Sequence, residues 1–300
     1  MTALKLNCKL ITPMFMYGAD GMTPELRPSE FKGMIRFWWR AIKAEDNIEK
    51  LKKEESEIFG GSGEGQGKSK IKIRFLTELN ESDIMDYQPL PHHQENNCPI
   101  DSQKRCRKAF KIKAIKPGKE IKIIFFVTQM EFNMIRNFVY LMFILGGFGK
   151  RSRRGFGSLE IIEPKINIGN LDNILNLLND ISNGRYKIDN SRILDNVQSI
   201  INKNPKGGPY PWIKEIIISK KEFNNYDDIL KFIGNTSHKY SDPSLGNANP
   251  RMASPVYVSV IKTENKLKPI ITLLNSNFPS SNYPRWDFGK QKDFIKELII

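Results

Sequence analysis

The segment GGFGKRSRRGFGS, residues 146–158, combines glycine with cationic side chains at a spacing suited to phosphate. Its glycines are Gly146, Gly147, Gly149, Gly155 and Gly157, and its cations are Lys150, Arg151, Arg153 and Arg154. Glycine adopts positive φ readily, so the backbone can approach a ligand closely. A guanidinium donates to two phosphate oxygens at once. The segment therefore predicts a flexible phosphate-binding loop, and a basic loop that docks on an acidic protein is the alternative.

The charge of the whole chain points the same way. The sequence has 47 Lys and Arg against 33 Asp and Glu, which gives a net charge of +14 at pH 7. An excess of this size attracts polyanions such as nucleic acid, and a Lys-rich proteome is the alternative explanation. The longest apolar run, 138–148, is too short to cross a bilayer and predicts a buried helix. We therefore expect no membrane partner.

The cellular compartment is predicted from two features. The first 13 residues lack the layout of a signal peptide, because a lysine and an asparagine interrupt their apolar part. Cys8, Cys98 and Cys106 cannot all pair, and nothing suggests a disulfide framework. Both features favour a cytoplasmic protein.

The segment RPSEFKGMIRFWWRAIK, residues 27–43, predicts an amphipathic helix with Pro28 in its first turn. One arc of this helix holds the apolar residues Phe31, Met34, Ile35, Phe37, Trp38, Ala41 and Ile42. The opposite arc holds Lys32, Arg36, Trp39, Arg40 and Lys43. An aromatic ring among cations suggests stacking on a base or a sugar, although charged helix faces are commonly just solvated.

The first half of the chain has the pattern of a ferredoxin-like βαββαβ unit. Its elements are predicted at 4–16 (strand), 27–43 (helix), 69–76 (strand), 119–127 (strand), 131–147 (helix) and 158–163 (strand). A further helical segment covers 45–59, and residues 77–118 form an insertion between the middle strands. An antiparallel sheet backed by helices leaves one face open, and RNA-binding domains of the RRM type use such a face.

The composition changes near Pro164, so we predict one domain over 1–165 and a second α+β domain over 166–300. Residues 166–205 look helical, apart from SNGRYKIDN. A strand (WIKEIIIS), a helix (YDDILKFIG) and a hairpin (PVYVSVIKTENKLKPIITLLNS) follow, and KDFIKELII is a helix or a strand.

Other motifs give weak signals for chemistry. GGSGEGQGKS, residues 60–69, has Ser62 where a P-loop needs glycine, and it precedes a strand rather than a helix. His92, His93, Cys98 and Cys106 match no common zinc spacing. We therefore expect no cofactor and no metal. NTSHKYSDPS places His238 beside Ser237, Lys239 and Tyr240 in what we predict to be a polar surface loop.

Three stretches resemble known proteins: TPMFMYGADGMTPELRPSEFKGMIRFWWRA, ESEIFGGSGEGQGKSKIKIRF and GGFGKRSRRGFGSLEI. They are similar to the RAMP superfamily of CRISPR systems, and within it to the family that supplies the first subunit of the type III-B Cmr effector complex. The glycine-rich loop before the last strand of the first domain is the mark of the superfamily. The likeness covers 1–163 well and 166–300 in patches, of which NPRMASPVYVSV (249–260) is one.

The resemblance implies two tandem ferredoxin-like domains and a non-catalytic role at one end of a guide-RNA filament. It implies contact with the 3′ part of the guide RNA or with the guide–target duplex, and with adjoining RAMP subunits. The RNA contacts that it implies are loop 146–157, Lys32, Arg36, Arg40 and Arg251. Because some RAMP proteins cut RNA, a metal-independent guide-processing endoribonuclease that uses His238 or a nearby Tyr or Lys is the alternative. An adaptor that touches only protein is a third possibility.

Overall fold

The computed structural model describes residues 1–61, 63, 67–90, 110–166, 170–190, 197–204, 208–275 and 284–300. In the first half, the elements are β1 Thr2–Leu10, α1 Pro28–Lys43, α2 Ile48–Phe59, β2 Lys72–Phe75, β3 Ile84–Tyr87, β4 Ile112–Ile115, β5 Glu120–Val127, α3 Phe132–Leu145 and β6 Leu159–Glu163. In the second half, they are α4 Leu171–Ser182, β7 Tyr186–Asp189, β8 Ser199–Asn202, β9 Ile213–Ile218, α5 Tyr226–Lys239, β10 Val256–Thr263, β11 Lys266–Leu274 and α6 Phe288–Ile299.

The first half forms an antiparallel sheet, sheet 1, with the strand order β2-β5-β1-β6. The predicted order of strands and helices is confirmed here, with β3 and β4 paired as a separate hairpin inside the insertion 77–118. Strand β1 alternates buried Leu4, Leu6 and Cys8 with exposed Lys5. This period of two is what one buried face and one wet face require.

The second half forms sheet 2, with the strand order β10-β11-β9-β8-β7. From β9 onward the chain follows the order strand, helix, strand, strand, helix. In a complete βαββαβ unit, the last strand would pair with the first, which here is β9. That place beside β9 is taken by β8, which comes before β9 in the chain. The prediction of a second complete βαββαβ unit is therefore wrong in this detail. The predicted helical stretch 166–205 contains β8, whose Ile200 and Ile201 are β-branched and favour a strand.

The elements stack in four layers. Sheet 1 packs its inner face on α1 and α3, and these helices together with α4 pack on one face of sheet 2. The other face of sheet 2 is covered by α5 and α6. The main hydrophobic core therefore runs through both halves of the chain, from Leu6 in sheet 1 through Phe138 in α3 to Tyr257 in sheet 2.

The central helix layer explains the composition of α3. Nine of its 14 residues are buried, because it touches a sheet on each side. A helix that is apolar around most of its circumference is expected in such a position. Tyr186 of β7 also ties the layers together, since its buried hydroxyl donates to the Ile42 carbonyl at 2.8 Å, near the end of α1. Burial raises the pKa of Tyr186.

The Tyr186 bond predicts the effect of a conservative change. Tyr186→Phe should lower the free energy of unfolding by about 1–2 kcal/mol, because it leaves a buried helix-terminal carbonyl without its donor. Urea denaturation measures this loss. Tyr240→Phe is the control, since Tyr240 donates to the partly exposed Glu297 and should cost less than about 0.5 kcal/mol. Equal losses in the two variants would contradict this account of the layer contact.

Candidate nucleic-acid interface

The glycine-rich loop 146–157 joins α3 to β6 and lies against strand β10, at the edge of sheet 2. The Gly155 N–H donates to the Val258 carbonyl at 2.8 Å, and the Val258 N–H donates to the Arg153 carbonyl at 3.3 Å. Arg154 thus pairs with Val258 as a short parallel bridge. Since β10 would otherwise be an open sheet edge, the loop covers unpaired backbone groups and joins the two halves of the chain.

The glycines of this loop approach the protein itself. Gly149 and Gly155 have φ of +87° and +84°, which glycine adopts without strain. A Cβ on Gly149 would lie 2.5 Å from the Phe15 carbonyl oxygen, and one on Gly155 would lie 2.9 Å from Cδ1 of Ile233. A Cβ on Gly157 would overlap the Phe148 carbonyl. The close backbone approach that we predicted is real, but its partner is the protein's own chain.

Three of the predicted RNA-contacting glycines are buried: Gly146, Gly147 and Gly155. A Cβ on Gly146 would meet the Met142 carbonyl and the Trp38 indole, so this glycine lets α1 pack against the end of α3. In this conformation these glycines offer no surface to RNA. Their assignment as RNA contacts is therefore corrected to a packing role.

The side chain of Arg154 points inward and holds three segments together. Its guanidinium donates to the carbonyls of Leu245 at 3.0 Å and Val256 at 3.1 Å, and to the Ser237 hydroxyl at 3.1 Å. Burial, together with the charges of Arg151 and Arg153, lowers the pKa of Arg154 to about 10, so the group remains protonated at neutral pH. This geometry makes Arg154 a structural cation, and its predicted RNA contact is corrected accordingly.

Arg153 is half-buried at the same junction. One guanidinium nitrogen donates to the Ser254 carbonyl, and the guanidinium carbon lies 5.1 Å from the centroid of the Phe37 ring and 5.5 Å from that of Tyr257. Phe37 belongs to α1 and Tyr257 to β10, so Arg153 also bridges the two halves. Burial lowers its pKa.

Lys150 and Arg151 form the outer side of the loop. Lys150 is exposed, with its ammonium 4.4 Å from the centroid of the Tyr17 ring. Arg151 is half-buried at a φ of +62°, and its guanidinium has no hydrogen-bond acceptor within the described part of the chain. Burial lowers the pKa of Arg151. A partly desolvated cation without an acceptor is costly unless a ligand supplies one.

Within the described ranges, the loop has no carboxylate partner at ion-pair distance. Among the residues that the structure describes, none of its four cations forms an ion pair. Glu30 is a carboxylate close to the loop, and it accepts from the Gly149 N–H while burial raises its pKa. The outer side of the loop therefore keeps an excess of positive charge.

The predicted cationic face of α1 is largely covered by α2. Arg36 and Arg40 both pair with the buried Glu55, at 3.1 and 2.7 Å, and Arg36 also donates to the carbonyls of Phe59 and Gly60 at the end of α2. Their side chains remain 37% exposed. These two arginines thus stabilise the helix pair, which leaves less of each guanidinium for RNA than we predicted.

Trp39 lies in the core. It is 2% exposed and packs edge-on against Phe59 and Phe138, with ring centroids 5.5 and 5.6 Å away. The prediction that Trp39 stacks on a base or sugar is therefore wrong, because α2 closes over this side of α1. Lys32 is the predicted α1 contact that stays exposed, and it has no ion pair with any described residue.

Arg251 is distant in sequence from the loop and precedes a segment that contacts it. It is exposed, in a turn that the backbone pairing of Asn247 and Met252 closes. Three residues further on, Ser254 accepts the hydrogen bond from Arg153. The exposed Arg251 is thus three residues from a contact with the loop, and its role in RNA binding stays a prediction. Arg36 and Arg40 lie at the α1–α2 contact instead.

The remaining motifs are placed as follows. His238 is exposed in the last turn of α5, so its predicted loop position is corrected. His92, His93, Cys98 and Cys106 lie outside the described residues. Within the described ranges, no group of three or more His, Cys, Asp or Glu side chains is arranged to hold a metal ion, and no helix is long and apolar enough to cross a membrane.

A comparison with known protein families gives a match that includes both sheet 1 and the glycine-rich loop. Residues 7–160, which run from β1 through the glycine-rich loop into β6, match the family model of the RAMP superfamily. The chain belongs to the RAMP superfamily. The resemblance that we drew from the sequence is thus confirmed.

Individual relatives narrow the assignment. The chain is a homologue of the CRISPR system Cmr subunit Cmr1-2 of Pyrococcus furiosus, with 30% identity over 180 residues, which are 52% of this chain and 92% of the relative. The crystal structure of apo Cmr1 from Pyrococcus furiosus has a similar fold, with a TM-score of 0.59, 16% identity and coverage of 99% of this chain and 96% of that one. A chain in a cryo-EM structure of type III-B Cmr-beta bound to cognate target RNA also has a similar fold. Its TM-score is 0.56, its sequence identity is 14%, and the match covers 98% of each chain.

The inward position of Arg154 predicts a loss of stability. Arg154→Met keeps most of the side-chain volume but removes the hydrogen bonds to the Leu245 carbonyl, the Val256 carbonyl and the Ser237 hydroxyl, although Val256 keeps the Ser254 hydroxyl as a donor. It should therefore lower the free energy of unfolding by about 2 kcal/mol or more. Lys150→Met, in the same loop but exposed, should cost less than about 0.5 kcal/mol. Urea denaturation of both variants measures the difference. Two equal, small losses would show that Arg154 does not hold the junction.

Proposed function

We propose that this RAMP protein is a non-catalytic RNA-binding subunit of a type III-B CRISPR effector complex that acts in antiviral defence. Its partners in this proposal are guide RNA, target RNA and other RAMP subunits of the Cmr complex. It contacts the guide RNA, or the guide–target duplex, near the 3′ part of the guide. The homology to a Cmr subunit supports this assignment, as does the shared fold with a chain of a Cmr complex bound to target RNA.

The observation that carries the proposal is the unneutralised charge of the loop. Arg151, Arg153 and Arg154 are close enough that the first two charges depress the pKa of the third. Carbonyl oxygens accept from Arg153 and Arg154, but Arg151 has no acceptor within the described residues. A phosphate group would supply both the opposite charge and the missing acceptor oxygens.

The geometry divides the predicted residues into two groups. Lys150, Arg151, Lys32 and Arg251 present charge at the surface and are the proposed contacts with the RNA backbone. Arg154 positions the loop from inside, and Arg153 does so in part. Replacing all four loop cations would therefore disturb the junction of the two halves as well as the binding surface. A test of binding has to leave Arg153 and Arg154 in place.

The double variant Lys150→Glu/Arg151→Glu tests the loop. Reversing two surface charges should weaken RNA binding by about tenfold or more at 0.15 M salt, and should reduce the slope of log affinity against log salt by about 1–2. Fluorescence anisotropy with labelled guide RNA measures both quantities. The matched control is Lys214→Glu/Lys231→Glu, which reverses two exposed lysines of β9 and α5. RNA affinity equal to that of the control would refute the loop assignment, and a wild-type chain that binds a partner subunit but no RNA would favour the adaptor.

The non-catalytic part of the proposal needs its own experiment, because the endoribonuclease is the alternative. Ser237, next to His238, is tied to the structural cation Arg154, and His238 itself lies on the exposed side of α5. We expect the pure protein to leave labelled repeat RNA intact when it is incubated without metal. His238→Ala is the control for a contaminating nuclease. Discrete products that form with the wild type and disappear with this variant would establish the enzyme instead.

A further inference from the structure

Sheet 1 is the outermost layer of the stack, and its outer face is not covered by α1 or α3. These helices pack on the inner face through residues such as Leu6, Ile123 and Phe125. The outer face carries a group that we call the sheet-face patch: Ala3, Lys5, Lys72, Arg74, Lys122, Ile124 and Phe126. The patch lies on three adjacent strands, β2, β5 and β1.

The strand register fixes the layout of this patch. Ile124 lies between Arg74 of β2 and Lys5 of β1. Phe126, two residues further along β5, lies between Lys72 and Ala3. Neighbouring strands are about 4.8 Å apart, so Ile124 has a cation on each side, whereas Phe126 has Lys72 on one side and Ala3 on the other.

The charge of the patch is not compensated within the sheet. None of Lys5, Lys72, Arg74 and Lys122 forms an ion pair with a residue in the described ranges. Glu163 of β6 lies opposite Asn7, which separates it from Lys122 of β5. Two further carboxylates of sheet 1, Glu120 and Glu160, lie opposite Lys9, toward the other end of β1. Four like charges therefore face solvent together, and a polyanion is the complementary partner.

The apolar members of the patch narrow the class of polyanion. Ile124 and Phe126 are only half-buried and belong to none of the hydrophobic clusters of the described residues. Among the described residues, Phe126 also stacks on no other aromatic ring, and its neighbour on β1 is the small Ala3. An aromatic ring among lysines and arginines on an open β-sheet suits unpaired bases, which stack on the ring while their phosphates meet the cations. A duplex would offer only its phosphates.

We infer that the sheet-face patch is a second RNA surface, which binds a single-stranded segment with a base on Phe126 and phosphates on Lys5, Arg74 and Lys122. The inference rests on the proposed RNA-binding function, since it takes the polyanion to be RNA. The patch is separate from loop 146–157, because the helix layer lies between the outer face of sheet 1 and the edge strand of sheet 2 that the loop covers. RNA that meets the loop as a duplex and the patch as a single strand would use both surfaces.

The experiment compares a 12-nucleotide single-stranded RNA with a duplex of the same sequence, by fluorescence anisotropy on the full chain. The variant Lys5→Glu/Arg74→Glu/Lys122→Glu should weaken single-strand binding by about tenfold or more and should lower the salt slope by about 2. Phe126→Ala should weaken single-strand binding by about fivefold or more and leave duplex binding unchanged.

The first variant has Lys187→Glu/Lys214→Glu/Lys231→Glu as its matched control, with three exposed lysines of sheet 2 and α5 reversed. The second has Ile162→Ala, which removes a half-buried apolar side chain from β6 outside the patch.

The outcomes separate this inference from the proposed function. If the sheet-face variants bind single-stranded RNA like their controls while Lys150→Glu/Arg151→Glu fails to bind, the patch is not an RNA surface and the loop assignment stands. If charge reversal weakens binding but Phe126→Ala does not, the stacking surface is wrong and the inference fails. If the triple variant no longer binds a partner protein subunit but keeps its affinity for RNA, the patch binds protein and the inference is overturned. If the sheet-face and loop variants all match their controls, both the inference and the proposed function fail.

Discussion

The packing of the glycine-rich loop on the edge of sheet 2 is the contact on which the two halves of this protein depend. It places the Arg154 guanidinium over the Phe294 ring, where its described hydrogen-bond acceptors are carbonyl and hydroxyl oxygens. Taking a cation out of water is costly, and hydrogen bonds to carbonyl oxygens offset that cost only when the geometry is held closely. The glycines provide this geometry, because a Cβ at Gly149 or Gly155 would push the loop away from its neighbours. Loss of the loop conformation would expose the edge of β10 and remove a polar contact between the two halves, which also share the main hydrophobic core.

The same contact sets up the binding surface. Because Arg153 and Arg154 are anchored inward, the short stretch between Gly149 and Gly155 has little freedom, and Arg151 is held at positive φ. A cation that is already fixed loses less conformational entropy when it binds than one on a free loop. Inner arginines that hold the backbone and outer cations that stay unpaired are therefore two parts of one arrangement. The glycine-rich loop is easy to recognise in the sequence because the inner arginines and the outer cations lie within the same short segment, 146–157.

The sequence predicted sheet 1 well, because the alternation of Leu and Lys in β1 and of Ile and Lys in β5 reports directly which face is buried. It failed where the answer depends on a partner that lies elsewhere in the chain. The cationic arc of α1 was predicted to contact RNA, but Glu55 of α2 pairs with both Arg36 and Arg40, and α2 covers Trp39. Glycine spacing predicted a close backbone approach correctly. Spacing alone does not reveal whether the atom approached belongs to a ligand or to the same protein.

The contrast between the two sheets follows from the order of the layers. Sheet 2 lies between two helix layers, and six consecutive residues of β10, from Val256 to Ile261, are buried. Among the described elements, helices pack on one side of sheet 1 only, and β1 and β5 alternate between buried apolar residues and residues that are exposed or half-buried. A continuous apolar strand indicates a sheet that is covered on both faces, and an alternating strand indicates one that keeps a face open. The pattern of β1 and β5 is thus more than a sign of strand structure, since it marks the sheet on whose outer face the described helices do not pack.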